Sequence, residues 1–401
     1  MAIPMRQIQC TMPLLLSVLA AACGGEAIGS AEPIVRDSAG VRIVQNAQAP
    51  LGEWHLGTSP LFTVGWGSED PKLTWVQSGR VLPDGGALIA DFGDKSIYRV
   101  GPDGSIIATW GREGEGPGEY QGLDAMLLRG DSVIVSDRRL MRVTLLSMEG
   151  DVLATRPLPG AVLHEVSSVL DDGRLLLIPG NAYSYVTEMR QEWVFEIQPI
   201  IAATLDGLTV DTLVQLPHLR RWYGSRGAPP GAVPVRGRAG GFTDGFAWSR
   251  ADQPEVRWYD GMGRLVQIAR WDEVPVALTP DWRTRLARNY EQAIRSRNAD
   301  EQFVAARVAE FEEGLDRQEG LLPYWDSFLV DRQGNAWLRE YSLPGEPSDR
   351  WRVITRDGSL VGWIDVPKVA SILDITSDRV LAVRLDELDV SAVVMFQLSR
   401  S

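Results

Sequence analysis

One short segment of the chain combines planar cations with aromatic rings. Its members are Arg220, Arg221, Trp222, Tyr223 and Arg226. Guanidinium groups form paired hydrogen bonds with carboxylate and phosphate oxygens, and aromatic faces attract cations. The segment therefore predicts recognition of a carboxylate, a phosphate or a sugar ring. The alternative is that the two rings cover a junction between structural units while the arginines extend into solvent.

Two further sets of residues are assigned to the same predicted ligand-binding surface. Tyr183 and Tyr185 lie in a neighbouring loop region, and Arg112 and Glu119 lie in a glycine-rich stretch, residues 111–120. This stretch lacks the Gly-Lys-Ser/Thr ending of a phosphate-binding loop. Its three glutamates offer the oxygen ligands that calcium prefers. The simpler interpretation of these glutamates is a solvated run of charge.

Residues for catalysis are sparse. The three histidines, His55, His164 and His218, lie far apart in sequence, and neither an HExxH motif nor a pair of cysteines accompanies them. No serine occupies a GxSxG elbow. The sequence therefore identifies no catalytic residue and no cofactor, leaves a metal ligand set unknown, and favours a binding protein over an enzyme.

The first residues of the chain predict export. A positive charge at Arg6 precedes an apolar stretch, and the sequence Ala20-Ala21-Ala22-Cys23-Gly24 ends it. Small residues of this kind mark a signal-peptide cleavage point. The arrangement resembles the lipobox of bacterial lipoproteins, which implies that residues 1–22 are removed as a signal peptide and that Cys23 is acylated. The alternative is an ordinary secretory signal with a coincidental cysteine.

The lipobox resemblance also implies a location. A lipid on Cys23 would hold the protein at a membrane surface of the bacterial cell envelope, facing the periplasm, without inserting the chain. Gly24 stands where these lipoproteins have Asp when they are retained in the inner membrane, which favours the outer membrane over the inner. Residues 23–33 are small and polar, and predict a flexible tether between the lipid and the folded domain.

Composition limits the classes of partner. The formal net charge of -13 disfavours nucleic acid, because phosphate-binding proteins need a basic surface. The chain contains two cysteines, Cys10 and Cys23, and the first lies in the predicted signal, so no intramolecular disulfide is expected. The expected partners are the membrane, through the anchor, and an unidentified small molecule or envelope protein.

A repeating pattern runs through the rest of the chain. A polar turn precedes a short apolar strand in six units, and the turns are Asp84-Gly85, Gly130-Asp131, Asp172-Gly173, Asp244-Gly245, Gln333-Gly334 and Ser377-Asp378. A second turn follows within most units, as at Asp103-Gly104 and Asp357-Gly358. Two hairpin turns per unit make a four-stranded antiparallel meander. Radial repetition of such sheets predicts an all-β, six-bladed β-propeller.

The sixth unit is one strand short at the C-terminus. A turn and a strand at the other end of the chain, residues 37–44, supply the missing piece, so we expect an N-terminal strand to complete the last blade and close the ring. The alternative is an unpaired N-terminal arm. Three segments together resemble bacterial six-bladed β-propeller lipoproteins related to NHL-repeat proteins, and the resemblance covers about residues 34–401. The segments are 37–44, 111–120 and 385–390. That resemblance implies the fold, but the family is mostly of unassigned function.

Long connections are predicted on one side of the ring. In a four-stranded blade, the turns inside the first and second hairpins lie on one face, which we call the tight-turn face. The remaining connections lie on the opposite, loop-bearing face. Four long insertions belong to the connections on the loop-bearing face: 180–193, 217–243, 272–326 and 342–349. Long loops in compact domains are often functional, so the loop-bearing face is the predicted binding surface.

The longest insertion predicts two helices over about residues 279–319, between blades 4 and 5. Thr279 is a suitable N-cap before Pro280, and Asp300 is a suitable N-cap for a second helix. Apolar residues recur at helical spacing after each cap. The pair suggests a lid over the ring, and the alternative is a structural buttress packed against it.

These features together favour a lipid-anchored cell-envelope propeller that binds an unidentified ligand or protein partner through its loop-bearing face. The alternative is a metal-dependent propeller hydrolase or lyase acting on a lactone, sugar or peptide derivative. A third interpretation is a structural scaffold within an envelope complex. The sequence identifies neither the ligand nor a reaction.

Overall fold

The computed structural model describes residues 32–47, 52–68, 70–158, 164–180, 192–223, 233–296, 300–318, 320–341 and 348–400. Within these ranges, six sheets and two helices follow one another along the chain, which confirms the predicted all-β, six-bladed propeller. The predicted signal peptide and Cys23 lie outside the described residues. No helix in the described part of the chain is long and apolar enough to cross a bilayer.

The first half of the fold contains an N-terminal segment and three blades. The N-terminal strands are β1 (Ile34–Ser38), β2 (Val41–Asn46), β3 (Trp54–Leu56) and β4 (Phe62–Val64). Blade 1 contains β5 (Val76–Val81), β6 (Ala87–Asp91), β7 (Ser96–Val100) and β8 (Ile106–Trp110). Blade 2 contains β9 (Leu123–Arg129), β10 (Ser132–Asp137), β11 (Arg142–Ser147) and β12 (Val152–Pro157). Blade 3 contains β13 (His164–Val169), β14 (Leu175–Pro179), β15 (Glu192–Ala203) and β16 (Val210–Tyr223).

The second half contains three more blades and the helices. Blade 4 contains β17 (Gly237–Phe242), β18 (Gly245–Arg250), β19 (Glu255–Asp260) and β20 (Leu265–Trp271). The helices that follow it are α1 (Pro280–Arg295) and α2 (Glu301–Arg317). Blade 5 contains β21 (Trp325–Val330), β22 (Ala336–Glu340), β23 (Ser348–Ile354) and β24 (Leu360–Pro367). Blade 6 contains β25 (Ser371–Ile375), β26 (Arg379–Leu385) and β27 (Ser391–Arg400).

The hairpin turns explain why the repeating pattern is visible in the sequence. Gly85, Gly173 and Gly334 follow polar residues in the first turn of their blades and adopt φ of 91°, 84° and 85°. Glycine occupies this left-handed region without the steric cost that a Cβ atom brings. The strand after the turn is buried on both faces, as in β6, where all five residues are buried. A polar glycine turn before a short apolar run is therefore the local signature of a blade.

The hydrophobic core is divided among the blade interfaces. Six apolar clusters lie between neighbouring blades, one for each junction around the ring. The cluster between blades 6 and 1, for example, packs Leu381 and Met395 against Val81 and Ile89. Each blade therefore buries apolar surface on both sides only when the ring is complete.

N-terminal strands complete the last blade, but they are not the strand that the sequence predicted. β3 and β4 pair antiparallel with β27, opposing Leu56 to Leu398 and Phe62 to Met395. The strand chosen from the sequence, within residues 37–44, instead pairs in parallel with the outer strand β20 of blade 4, and β1 lies outside it. The sequence pattern missed β3 and β4 because each has only three residues and no Asp-Gly turn joins them.

Asn46 fixes the path of the N-terminal segment between blades 4 and 5. Its side chain is 2% exposed. Its amide nitrogen donates to the carbonyl oxygens of Arg270 (3.1 Å) and Gly358 (2.9 Å), and its oxygen accepts from the backbone N–H of Leu360 (2.8 Å). A buried amide with three partners is stabilising only when all three are present. This residue therefore joins β2 to two blades at once.

The helices begin at the predicted caps. Thr279 accepts a hydrogen bond from the backbone N–H of Trp282 (3.3 Å), and Asp300 accepts one from that of Phe303 (2.9 Å). α1 and α2 pack against each other through stacked rings of Tyr290 and Phe311, whose centroids are 4.1 Å apart. Because the pair connects the end of β20 to the start of β21, it lies on the loop-bearing face.

Candidate functional site

The innermost strands β5, β9, β13, β17, β21 and β25 surround a central channel. A cavity of about 360 Å³ occupies its loop-bearing end, between blades 3, 4 and 5. A second cavity of about 210 Å³ occupies its tight-turn end and is lined by all six blades. Ser167, Gly241, Leu329 and Val330 line both cavities. The two cavities are therefore the ends of one channel.

Glycines in β17 allow the neighbouring blades to approach the channel closely. A Cβ atom on Gly240 would lie 2.6 Å from Cγ2 of Val330, and one on Gly241 would lie 2.3 Å from Oγ of Ser168. These distances are shorter than van der Waals contact, so a larger residue would push blade 4 away from blades 3 and 5. The width of the channel thus depends on this pair of glycines.

Among the described residues, three charged side chains line the loop-bearing end of the channel, one from each of three blades. They are Glu165 on β13, Arg238 on β17 and Asp326 on β21. Burial raises the pKa of Asp326, and Arg339, whose Nε lies 2.6 Å from Oδ1 of Asp326, opposes that shift. Burial lowers the pKa of Arg238; Arg236 adds to this effect and Glu165 opposes it.

Arg236 and Arg238 lie on the same side of the inner strand of blade 4. Both are half-buried and alternate with the buried residues Val235 and Gly237, as the period of two in a strand requires. His218 on β16 is 8% exposed and lies close to both arginines. Burial, Arg238 and Arg236 together lower its pKa to about 4. The imidazole is therefore neutral at pH 7, and the positive charge of this region resides on the guanidinium groups.

Of the segment that combines cations and aromatic rings, the described residues 220–222 lie beside this channel end rather than in its lining. Arg221 is 4% exposed, and its Nε lies 2.5 Å from Oε1 of Glu196, which is also buried. The ring of Trp222 packs edge-on against Trp193 at 5.5 Å. Trp193 also lies 5.2 Å from the Arg220 guanidinium. Neither channel cavity has these residues in its lining.

The helical pair covers this aromatic cluster. Trp193 donates its indole N–H to the carbonyl oxygen of Arg317 at the end of α2 (3.3 Å), and the Arg317 guanidinium lies over the ring of Trp222. Gln318 exchanges two hydrogen bonds with the backbone of Val233 in the connection between blades 3 and 4. These contacts match the alternative interpretations, in which the rings cover a junction and the helices are a buttress. A ligand-binding role for the segment stays a prediction.

The remaining predicted site residues are not in the described lining of either channel cavity. Tyr183, Tyr185 and Arg226 lie outside the described residues, and Tyr223 is described only as the last residue of β16. Arg112 and Glu119 form an ion pair across their own loop, with Nη2 2.6 Å from Oε1.

Glu119 and its neighbours serve the geometry of that loop. Glu119 also accepts from the backbone N–H of Gly116 (2.8 Å), and this bond, followed by Arg112, lowers its pKa. Arg142 donates to the carbonyl oxygens of Gly116 (2.8 Å) and Glu119 (2.7 Å). Among the described residues, no group of three or more His, Cys, Asp or Glu side chains is placed to hold a metal ion.

The sequence interpretation missed the channel residues Glu165, Arg238 and Asp326. They come from three blades, and no local motif connects them. One signal was present: the alternation of Val235, Arg236, Gly237 and Arg238 across the start of β17 places two arginines on one side of the chain. His164 at the start of β13 lies with Nε2 3.0 Å from the carbonyl oxygen of Pro199 in its own blade.

The fold and its channel define a six-bladed β-propeller. No protein-family model and no curated protein matches the chain. Solved structures similar to it include a putative exported protein from Bacteroides fragilis, with 11% identity over 90% of this chain and 99% of that one and a TM-score of 0.49. A member of the DUF4221 family from Bacteroides vulgatus has 8% identity, 87% and 99% coverage and a TM-score of 0.48.

A third similar structure is a virginiamycin B lyase from Staphylococcus aureus. It has 10% identity over 86% of this chain and 99% of that one, with a TM-score of 0.42. At these identities and TM-scores, the three likenesses carry no argument about function.

The buried ion pair yields a stability prediction. Arg221→Met should lower the free energy of unfolding by about 3–5 kcal/mol, because it removes the guanidinium that pairs with the buried Glu196 carboxylate. The double variant Arg221→Met/Glu196→Leu should recover most of the loss. Urea unfolding measures both. Arg112→Ala, which removes an exposed guanidinium, is the control and should stay close to the wild type. A single variant as stable as the wild type would contradict a structural role for Arg221.

His218 yields a pH prediction. Its pKa of about 4 in the folded protein lies below its usual 6.5, so between these values the unfolded chain binds more protons than the folded one. The contribution of His218 to the free energy of unfolding is therefore fully present above pH 6.5, and it is lost as the pH falls toward 4. Urea unfolding across this range should show a loss of about 3 kcal/mol that His218→Gln removes. His55→Gln, at an exposed position, controls for the substitution. An unchanged pH profile in His218→Gln would refute the assignment.

Proposed function

We propose that this chain is a lipid-anchored, extracytoplasmic propeller of the bacterial cell envelope, and that it binds a small anionic ligand at the loop-bearing end of its channel without catalysing a reaction. The observation that carries the ligand proposal is the cavity of about 360 Å³ lined by Arg238, Glu165 and Asp326. Its size lies within the usual range for small-molecule sites, roughly 300–1,000 Å³. Its charged residues converge from three blades, as specific polar contacts in such sites do.

The balance of charge supports an anion as the ligand. Arg238 in β17 and Arg236 just before it place two guanidinium groups near this end of the channel, and Asp326 is paired with Arg339. The Glu165 carboxylate opposes the lowering of the Arg238 pKa. Because burial lowers the pKa of Arg238, its charged form lacks full solvation, and a ligand carboxylate or phosphate would stabilise that form. Glu165 would then accept hydrogen bonds from hydroxyl or amino groups of the same ligand.

The location rests on the residues around Cys23. Small residues precede this cysteine, and an apolar stretch precedes them, which together support cleavage and acylation at that position. We propose the periplasmic side of the outer membrane as the place of attachment. Cys23→Ser should release the protein from the membrane fraction of cells into the soluble fraction. Recovery of this variant in the membrane fraction would contradict lipid anchoring at this position.

The ligand proposal is tested by thermal-shift and calorimetric measurements on the folded domain. The probes are small carboxylates, sugar phosphates and nucleotides. For any probe that binds to the wild type, Arg238→Gln should weaken binding by at least about tenfold, because a charged hydrogen bond is lost in a partly desolvated site. Arg264→Gln removes a guanidinium that pairs with Asp260 in a hairpin turn on the tight-turn face, and serves as the control. Equal losses in both variants, or none in Arg238→Gln, would contradict the proposed site.

A further inference from the structure

In the described lining of the tight-turn end of the channel there are two guanidinium groups and one carboxylate. Arg80 comes from β5 in blade 1, Arg332 from the first turn of blade 5, and Asp374 from β25 in blade 6. The other described residues that line this cavity are uncharged and mostly apolar, such as Leu128 and Ile372. Unlike the opposite end of the channel, this end is built only from inner strands and short turns.

The Asp374 carboxylate is hydrogen-bonded to Arg332 and to a backbone N–H. Nε of Arg332 donates to Oδ1 of Asp374 (3.1 Å), and its Nη2 donates to Oδ2. Oδ2 also accepts from the backbone N–H of Val81 (2.7 Å). Arg332 donates in addition to the carbonyl oxygen of Val81 (2.9 Å). Arg332 and Asp374 therefore form a bidentate pair that ties blade 5 to blades 1 and 6.

Arg80 has no carboxylate of its own in this arrangement. Its Nη1 donates to the carbonyl oxygens of Gly79 (2.7 Å) and Leu373 (3.1 Å). Within the described part of the chain, its Nε and Nη2 have no hydrogen-bond acceptor and are accessible to solvent in the channel. Burial lowers its pKa; Asp374 opposes this shift and Arg332 adds to it. The end of the channel therefore has one positive charge in excess, on a half-buried side chain among mainly apolar lining residues, and an anion would offset the cost of its partial desolvation.

We propose that the tight-turn end of the channel binds a small oxyanion, a phosphate or a short carboxylate, between Arg80 and Arg332. Nε and Nη2 of a guanidinium form the paired donor geometry that such oxygens accept. The cavity of about 210 Å³ has the volume of roughly seven waters, which leaves room for a small oxyanion and its hydration but lies below the roughly 300 Å³ at which sites for larger ligands begin. The hydroxyl of Thr243, which also lines the cavity, supplies a neutral donor. This site lies at the other end of the channel from the proposed ligand site and does not depend on it.

Isothermal titration with inorganic phosphate and with succinate, in a buffer without competing anions, tests the site. Saturable binding of either probe by the wild type is expected, and Arg80→Gln should weaken it by about tenfold or more, because a charged pair of donors is lost. Glutamine keeps a donor for the carbonyl oxygens that Arg80 contacts. Arg129→Gln removes an exposed arginine on the same face, outside the cavity lining, and should bind like the wild type.

Asp374→Asn provides an independent test with the opposite sign. Asparagine keeps an oxygen for the backbone N–H of Val81 but removes the negative charge that both guanidinium groups share. Anion affinity should therefore rise. The proposal is overturned if neither probe binds the wild type, if folded Arg80→Gln binds as tightly as the wild type, or if folded Asp374→Asn binds more weakly. Urea unfolding of each variant establishes that it is folded.

Discussion

Pairing between the two ends of the chain is the constraint on which the rest of this structure depends. β27 at the C-terminus pairs with β3 and β4 near the N-terminus, and this completes blade 6. Without it, blade 6 has an open edge and the cluster around Leu381, Met395 and Val64 loses one of its walls. The channel depends on the same closure, because Arg80 and Asp374 come from the two blades that it joins. The oxyanion site is thus a product of ring closure.

The N-terminal hairpin β1–β2 adds a second connection on the outside of the ring. Its parallel pairing with β20 extends blade 4 to six strands, and Asn46 then links blade 4 to blade 5. The chain continues past β24, where Gly52 donates to the carbonyl oxygen of Val361, before it joins blade 6. One segment of about thirty residues therefore contacts three consecutive blades. Since each blade otherwise contacts only its two neighbours, such a segment opposes opening of the ring at those junctions.

The sequence predicted the blades well and the site poorly, and both outcomes have local causes. Polar glycine turns and apolar strands are short-range features, so six units could be read directly from residues such as Gly85 and Gly334. The channel groups are single residues on strands far apart in sequence: Arg80 and Leu373, which share a hydrogen bond, are 293 positions apart. Residue types around Arg221 predicted anion chemistry, but composition does not reveal burial, and Glu196 is already its partner. The closing strands lacked a motif because each has three residues.

The two ends of the channel differ in how they are built, and this bears on what each can bind. At the tight-turn end, Arg332 is held in a short hairpin turn by Asp374 and Val81, so the positions of its donors are fixed by the ring itself. At the loop-bearing end, Arg238 follows the long connection between blades 3 and 4, and that connection is tied to the helical insertion through Gln318. Connections of this kind change in length and sequence without altering the blades. Ligand identity at the loop-bearing end therefore depends on the insertions, whereas the oxyanion site depends on the propeller alone.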